Sequence, residues 1–221
     1  MLSHAVEDYL KAIYELEEDY GQASTSALSE RLNVKPASVT GMLQKLVEER
    51  PKLIQYERHR GAALTPAGRK IALEIIRHHR LIELYLAESL GYEWDKVDAE
   101  AEKLEHVISE EFEDKICALL GDPTIDPHGD PIPAKDGTVA VISRLTLTET
   151  AAGQTVRVTR VSDADPAFLR YLAELGITPN VTLTIATKAP FAGPLHVRVG
   201  KETKTHALGK EVTDQVFVEV K

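Results

Sequence analysis

Cysteine is almost missing: Cys117 is the single thiol in 221 residues. One thiol cannot build an internal disulfide framework, and the shortage fits a reducing compartment, so a cytoplasmic protein is expected. Cys117 itself reads as a small apolar residue on a helix. Long apolar runs are missing too. No stretch of roughly 18 apolar residues and no apolar N-terminal leader occur, which argues against a membrane span or an export signal. The sequence also lacks a Gly-rich phosphate cradle and a nucleophile paired with a base, so neither an enzyme nor a small-molecule substrate is expected.

Positive charge is short overall, with a net charge of −9, but the deficit is local. Residues 81–137 hold 4 Lys/Arg against 16 Asp/Glu, whereas 1–80 hold 12 against 11 and 138–221 hold 10 against 8. A neutral-to-basic head beside an acidic middle suggests separate tasks, polyanion contact in one and cation binding in the other.

The head reads as helices. His4–Glu18 carries Val6, Leu10, Ile13 and Tyr14 at helical spacing, and Gly21 ends it. Ser24-Thr25-Ser26 caps a short helix to Leu32; Asn33-Val34-Lys35 turns; Pro36 opens a third helix to about Glu49. Leu53–Arg58 alternates as a strand, His59-Arg60-Gly61 turns, and Ala62-Ala63-Leu64 returns. A plain helical hairpin accounts for the middle pair alone. The order helix, turn, helix and basic hairpin instead predicts a winged helix-turn-helix on double-stranded DNA. Lys35, Pro36, Ala37, Ser38, Thr40, Gln44 and Lys45 would face the major groove, with Arg58 and Arg60 of the wing on phosphates. A long helix then runs from about Ala67 to Leu90 and carries His78, His79 and Glu83.

The acidic middle centres on Asp98–Asp114, which is free of Pro and Gly and is expected to be one helix. Ala101, Leu104, Val107, Ile108 and Phe112 form its apolar stripe, suited to burial against a second copy and so to a homodimer. Glu102, Glu105 and His106 would project together from adjacent turns. Two carboxylates and an imidazole suit a hard or borderline divalent cation, although a solvated acidic face with an incidental histidine accounts for the same pattern. His79 and Glu83, four apart, form a second ligand pair; His78 reads as surface or core. Residues 121–137 hold four prolines and three glycines and read as a loop, in which Asp126-Pro127-His128 is either a decorated turn or a metal triplet. From Leu145 the period becomes two, with one short helix at Pro166–Leu175, which predicts about five strands in a small SH3-like barrel. Asp163 and Asp165 precede that helix, and Asp165 is the expected N-cap.

Several of these stretches together resemble the diphtheria toxin repressor family of iron- and manganese-dependent transcriptional regulators. They are E-D-Y-L-K-A-I-Y-E-L from Glu7, V-T-G-M-L-Q-K-L in the third helix, L-T-P-A-G-R from Leu64, H-R-L-I-E from His79, E-K-L-E-H-V-I-S from Glu102 and P-H-G-D-P-I-P from Pro127. The resemblance spans the chain and implies an α+β protein of three domains. These are a winged helix-turn-helix over 1–71, an all-α metal-binding and dimerisation domain over 72–137, and an SH3-like, ferrous-transport-A-type domain over 138–221. It implies a principal metal site of Asp8, Glu102, Glu105 and His106 with His79, and a second of Glu83, Asp126, His128 and Asp163. Asp8 and Glu102 stand where the iron-sensing branch has methionine and cysteine, which implies Mn(II), with Fe(II) or an organic effector as alternatives, and one or two ions per subunit. Lys11 departs from the glutamate that a binuclear cluster uses there. The implied function is metal-dependent repression of metal-uptake genes by a homodimer on a palindromic operator.

Overall fold

In the computed structural model, which describes residues 2–221, the chain divides into two compact units. The first gathers the chain up to His79 with Leu104–Ser109 and Pro133–Thr138. The second holds Arg80–Lys103, Glu110–Ile132 and Val139–Lys221.

In the first unit, helix α1 (His4–Tyr20) buries Val6, Leu10, Ile13 and Tyr14, the stripe its spacing predicts. It ends at Gly21, whose φ of 75° lets its N–H reach the Glu17 carbonyl. Helix α2 (Thr25–Arg31) starts where the Ser24 hydroxyl accepts from the Ala27 amide at 3.1 Å. Asn33, at φ 51°, turns the chain into α3 (Pro36–Glu48), and the Ser29 hydroxyl donates to the Val34 carbonyl across that turn at 2.6 Å. Leu28, Val39, Leu43 and Leu46 are fully buried, so the α2–α3 pair is held by its apolar inner faces. Strands β1 (Ile54–Glu57) and β2 (Gly61–Leu64) pair antiparallel as the wing. Gly61 is required there: a Cβ would lie 2.4 Å from the Ala23 carbonyl oxygen, at φ 92°. Helix α4 (Pro66–Leu90) follows, and the Thr65 hydroxyl accepts from the Gly68 amide in its first turn.

The single helix expected over Asp98–Asp114 is two. Helix α5 (Val97–Leu104) stops, Glu105–Ser109 is non-helical, and α6 (Glu110–Leu119) begins afresh. The local chemistry explains the break. Lys103 suits the negative end of one helix; Ser109 stands just before the next; Glu110, Glu111 and Glu113 crowd its positive end. The continuous apolar stripe fails with it: Ala101 is buried, whereas Val107 and Phe112 are exposed.

In the second unit, Leu81, Leu84, Ile116 and Ile132 form a small core, with half-buried Cys117 against it. Five antiparallel strands follow, β3 (Thr155–Val161), β4 (Thr182–Lys188), β5 (Leu195–Val199), β6 (His206–Leu208) and β7 (Val216–Val220), in the order β6-β5-β4-β3-β7. Val156, Val158, Leu183, Ile185, Val197, Val216 and Val218 are among its buried residues. A register slip between Val158 and Arg160 breaks the alternation, so that Val161 also turns inward. Helix α7 (Pro166–Glu174) packs Leu169 and Leu172 into the same core, and Asp165 caps it as expected, accepting from the Ala167 amide. A short helix α8 (Lys210–Thr213) links β6 to β7. The fold is thus α+β, with an SH3-like domain at its C-terminal end. Among the described residues no helix is long and apolar enough to cross a membrane.

Candidate metal centres and nucleic-acid interface

The break after α5 decides the chemistry of the first unit. Glu105 and His106 lie in a turn, not on a helix face, and the turn aims both side chains at α1. One nitrogen of the His106 ring, Nε2, is 2.7 Å from Asp8 Oδ1 and 3.5 Å from Glu105 Oε1. Nδ1 is 2.7 Å from Glu7 Oε2, a carboxylate that the sequence reading did not single out. His4 stacks on the same ring at 4.8 Å. One ligand atom each from Asp8, Glu105 and His106 falls within 4.8 Å of the others, close enough for one divalent ion.

Glu105 is fully buried. Its backbone carbonyl lies 3.0 Å from His78 Nδ1, so His78 is a core histidine that fixes the turn. The carboxylate contacts the His79 ring, and Lys11 Nζ donates to both its oxygens, at 3.0 and 2.7 Å. Burial pushes the Glu105 carboxyl up, but His79 and the Lys11 ammonium outweigh it and hold it below its usual value. Asp8, Glu105, His106 and His79 are therefore brought together. Glu102 points its carboxylate from the exposed side of α5 and belongs to the second unit, so its place as a ligand stays an expectation.

The second unit assembles a separate cluster. Glu83, His128 and Asp163 each offer a ligand atom within 4.8 Å of the other two, and Glu83 and His128 are buried. His128 Nε2 sits 2.8 Å from the Trp94 carbonyl, which can only accept, so Nε2 carries hydrogen. In the neutral ring the Nδ1 lone pair then points at the carboxylates. Nδ1 is buried, makes no hydrogen bond among the described residues, and faces Glu83 Oε1 at 3.6 Å. A ring oriented through its far nitrogen, with its near nitrogen bare, suits a metal ligand. Burial lowers the His128 pKa, but Glu83, Asp126 and Asp163 outweigh it and raise it. Burial, with Asp130 and Glu83 close by, raises that of Asp163.

Asp126 is placed otherwise. Its Oδ1 accepts from the amides of His128, Gly129 and Asp130 at 2.8, 2.9 and 2.9 Å, and its Oδ2 lies 3.6 Å from Arg80 Nε. It shapes the loop that presents His128 while three other residues form the cluster. That loop is seated on β3 by the Val161 amide donating to the His128 carbonyl and by Gly129, where a Cβ would meet the Thr159 oxygen at 2.1 Å.

The residues expected to face DNA lie at the surface of α3 and the wing. Lys35, Pro36, Ala37, Ser38, Gln44, Lys45, Arg58 and Arg60 are all exposed. Thr40 is half-buried, with its hydroxyl donating to the Pro36 carbonyl, and Arg60 pairs with Glu57 at 3.1 Å across the wing tip.

Known proteins match this organisation from end to end. Family models match in chain order: the iron dependent repressor N-terminal DNA binding domain at 1–62, the iron dependent repressor metal binding and dimerisation domain at 65–134, and the FeoA domain at 145–220. The iron-dependent repressor IdeR of Mycobacterium leprae (strain TN) is 32% identical over 230 residues, covering 99% of this chain and 98% of that protein. The HTH-type transcriptional regulator MntR of Bacillus pumilus (strain SAFR-032) is 38% identical over 120 residues, 54% of this chain and 81% of that one. A solved manganese-dependent transcriptional repressor in complex with manganese superposes with a TM-score of 0.89 at 38% identity, covering 98% of this chain and 100% of the other. The chain belongs to the iron-dependent, or diphtheria toxin, repressor family, whose members are metal-dependent DNA-binding transcriptional repressors and not enzymes.

Proposed function

We propose that this protein is a cytoplasmic, Mn(II)-responsive repressor of metal-uptake genes that binds a palindromic operator as a homodimer. The observation that carries the metal reading is the meeting of Asp8, from α1, with Glu105 and His106, from a turn far along the chain. Both clusters offer only carboxylates and imidazoles, with no thiolate or thioether, a donor set that suits Mn(II) over softer ions. A relative solved with manganese agrees with that choice.

A divalent ion held by Asp8, Glu105 and His106 would supply the positive charge that draws three anionic or lone-pair donors together. What the chain does follows from where those donors sit. Asp8 is on α1, whose buried face packs beside the α2–α3 pair, so fixing Asp8 against the Glu105–His106 turn fixes the angle of the recognition helix. In the second cluster, Glu83 on α4, His128 on the 121–132 loop and Asp163 after β3 tie those three segments together. Leu90, Tyr92, Phe112 and Leu119 of the second unit are exposed and apolar, which supports a dimer contact there.

A duplex selected by this protein from a random library, read by fluorescence anisotropy, tests the proposal. Mn2+ should tighten binding roughly 5- to 150-fold over EDTA, the range of ordinary allosteric coupling. Equal affinity in both conditions would overturn it, and an anaerobic Fe2+ arm that outperforms Mn2+ would reassign the ion.

A further inference from the structure

Lys11 is a residue of the first cluster whose ammonium no metal would recruit. It lies on α1, one turn from Asp8, with its side chain 12% exposed. Its ammonium donates to both oxygens of Glu105 and lies 3.1 Å from His79 Nδ1. These are the contacts that a cation bridging Glu105 and His79 would make. A lysine ammonium is a compact point charge on a flexible stem, so it can hold such a place and can also leave it.

We propose that Lys11 is a tethered competitor for the metal, a resident cation that sets how much free Mn2+ the first site needs before it loads. The inference rests on the assignment of Asp8, Glu105 and His106 as ligands. Two consequences follow from the charges alone. Without metal, Lys11 neutralises Glu105, so the buried carboxylate has a counter-charge even when no ion is present. With metal, the Lys11 ammonium would stand as a like charge at short range from any divalent ion held by Glu105. Lys11 must then swing toward its exposed edge or share the carboxylate with an ion bound less tightly than the donor set allows. Lys11 thereby sets a threshold, keeping the first site from loading at trace metal.

The test uses the full-length protein and compares wild type with Lys11→Met, which keeps the stem and removes the charge, and Lys11→Arg, which keeps the charge. Affinity for Mn2+ is measured by competition with a fluorescent chelator, and bound metal is counted by mass spectrometry. The ion of interest is the one that His106→Ala removes from the count. Lys11→Met should bind that ion roughly tenfold tighter or more, as expected when a like charge beside a cation is removed. It should also melt at a lower temperature than wild type in EDTA, while Lys11→Arg stays close to wild type in both respects. Unchanged or weaker binding in Lys11→Met would overturn the proposal, the latter because Lys11 would then be orienting Glu105 for the ion. If Lys11→Met fails to fold, Lys11→Gln carries the same expectation. Should His106→Ala leave the metal count and affinity of the wild type untouched, the ligand assignment itself fails, a result distinct from failure of the competitor.

Discussion

The two units carry acidic clusters of similar make-up in opposite electrostatic states. In the first, Glu105 is buried yet its carboxyl is held low, because His79 and Lys11 outweigh the effect of burial. In the second, burial dominates at Asp163 and at Asp126, whose carboxyls are pushed up with Asp130 and Glu83 close by, and Arg80 and the raised imidazole of His128 compensate only in part. One cluster brings its own counter-charge. The other holds like charges together at a cost that a bound cation would relieve. On the proposed assignment, an ion would meet an already neutralised carboxylate in the first cluster and would relieve like-charge repulsion in the second.

The largest expected effect separates the two by function. His106→Ala should abolish the Mn2+-dependent gain in duplex affinity, reducing a factor of roughly 5–150 to about 1, while the metal-free variant still folds and melts in one cooperative transition. Anisotropy and calorimetry on the same samples read both, and a variant that keeps the gain would sink the assignment of the first cluster.

A stability test probes the second cluster through its scaffold. Gly129→Ala puts a Cβ at 2.1 Å from the Thr159 oxygen at a backbone φ of 97°. It should cost roughly 2–3 kcal/mol, a typical penalty for combined strain and overlap. The loss should appear as a lower denaturant midpoint and as a weaker Mn2+-induced rise in melting temperature. A rise as large as in wild type would mean that the loop does not position His128.

The contrast in charge is tested more gently by Asp163→Asn. If the carboxylate is an electrostatic burden, the variant melts higher than wild type in EDTA and gains less from Mn2+. A lower melting temperature in EDTA would show that Asp163 is already well satisfied, and the contrast between the clusters would collapse.

The smallest effect is in the acid range. Glu105 has a folded pKa below its ordinary 4.5, so the stability it contributes is complete above that value and is lost as pH falls through the lower folded one. Asp163 has a folded pKa above its ordinary 3.8, so its penalty shrinks as pH falls through the raised value and is gone below 3.8. Melting curves in EDTA across this range should therefore show Glu105→Gln flattening the acid loss and Asp163→Asn steepening it. Parallel curves for the two variants would remove the distinction.

Much of this was legible in the residues. Gly21, Ser24, Pro36 and Gly61 mark turns and caps that follow from backbone sterics and local hydrogen bonding, so the winged helix could be read in order. The strands after Leu145 were equally plain, because period two with buried valines has few other uses. The break after Leu104 was misread although its signals were present: Ser109 followed by three acids is a helix start, and the helix-forming composition of the whole stretch masked it. Glu7 beside His106 carried no local signal at all, since on α1 it is one more acid on a charged helix face.

By itself, then, the sequence determined the elements, their order and the types of donor available, because propensity, periodicity and capping act over a few residues. It also determined the choice of oxygen and imidazole over sulfur, which is a matter of composition at given positions. Only the tertiary structure decided which donors meet. Asp8 reaches Glu105 and His106 because the chain turns after Leu104; His128 offers Nδ1 because the Trp94 carbonyl occupies its other nitrogen; Lys11 sits on Glu105 because α1 packs beside that turn. Contacts between residues this far apart in the chain depend on how whole elements pack, and no local pattern encodes that packing.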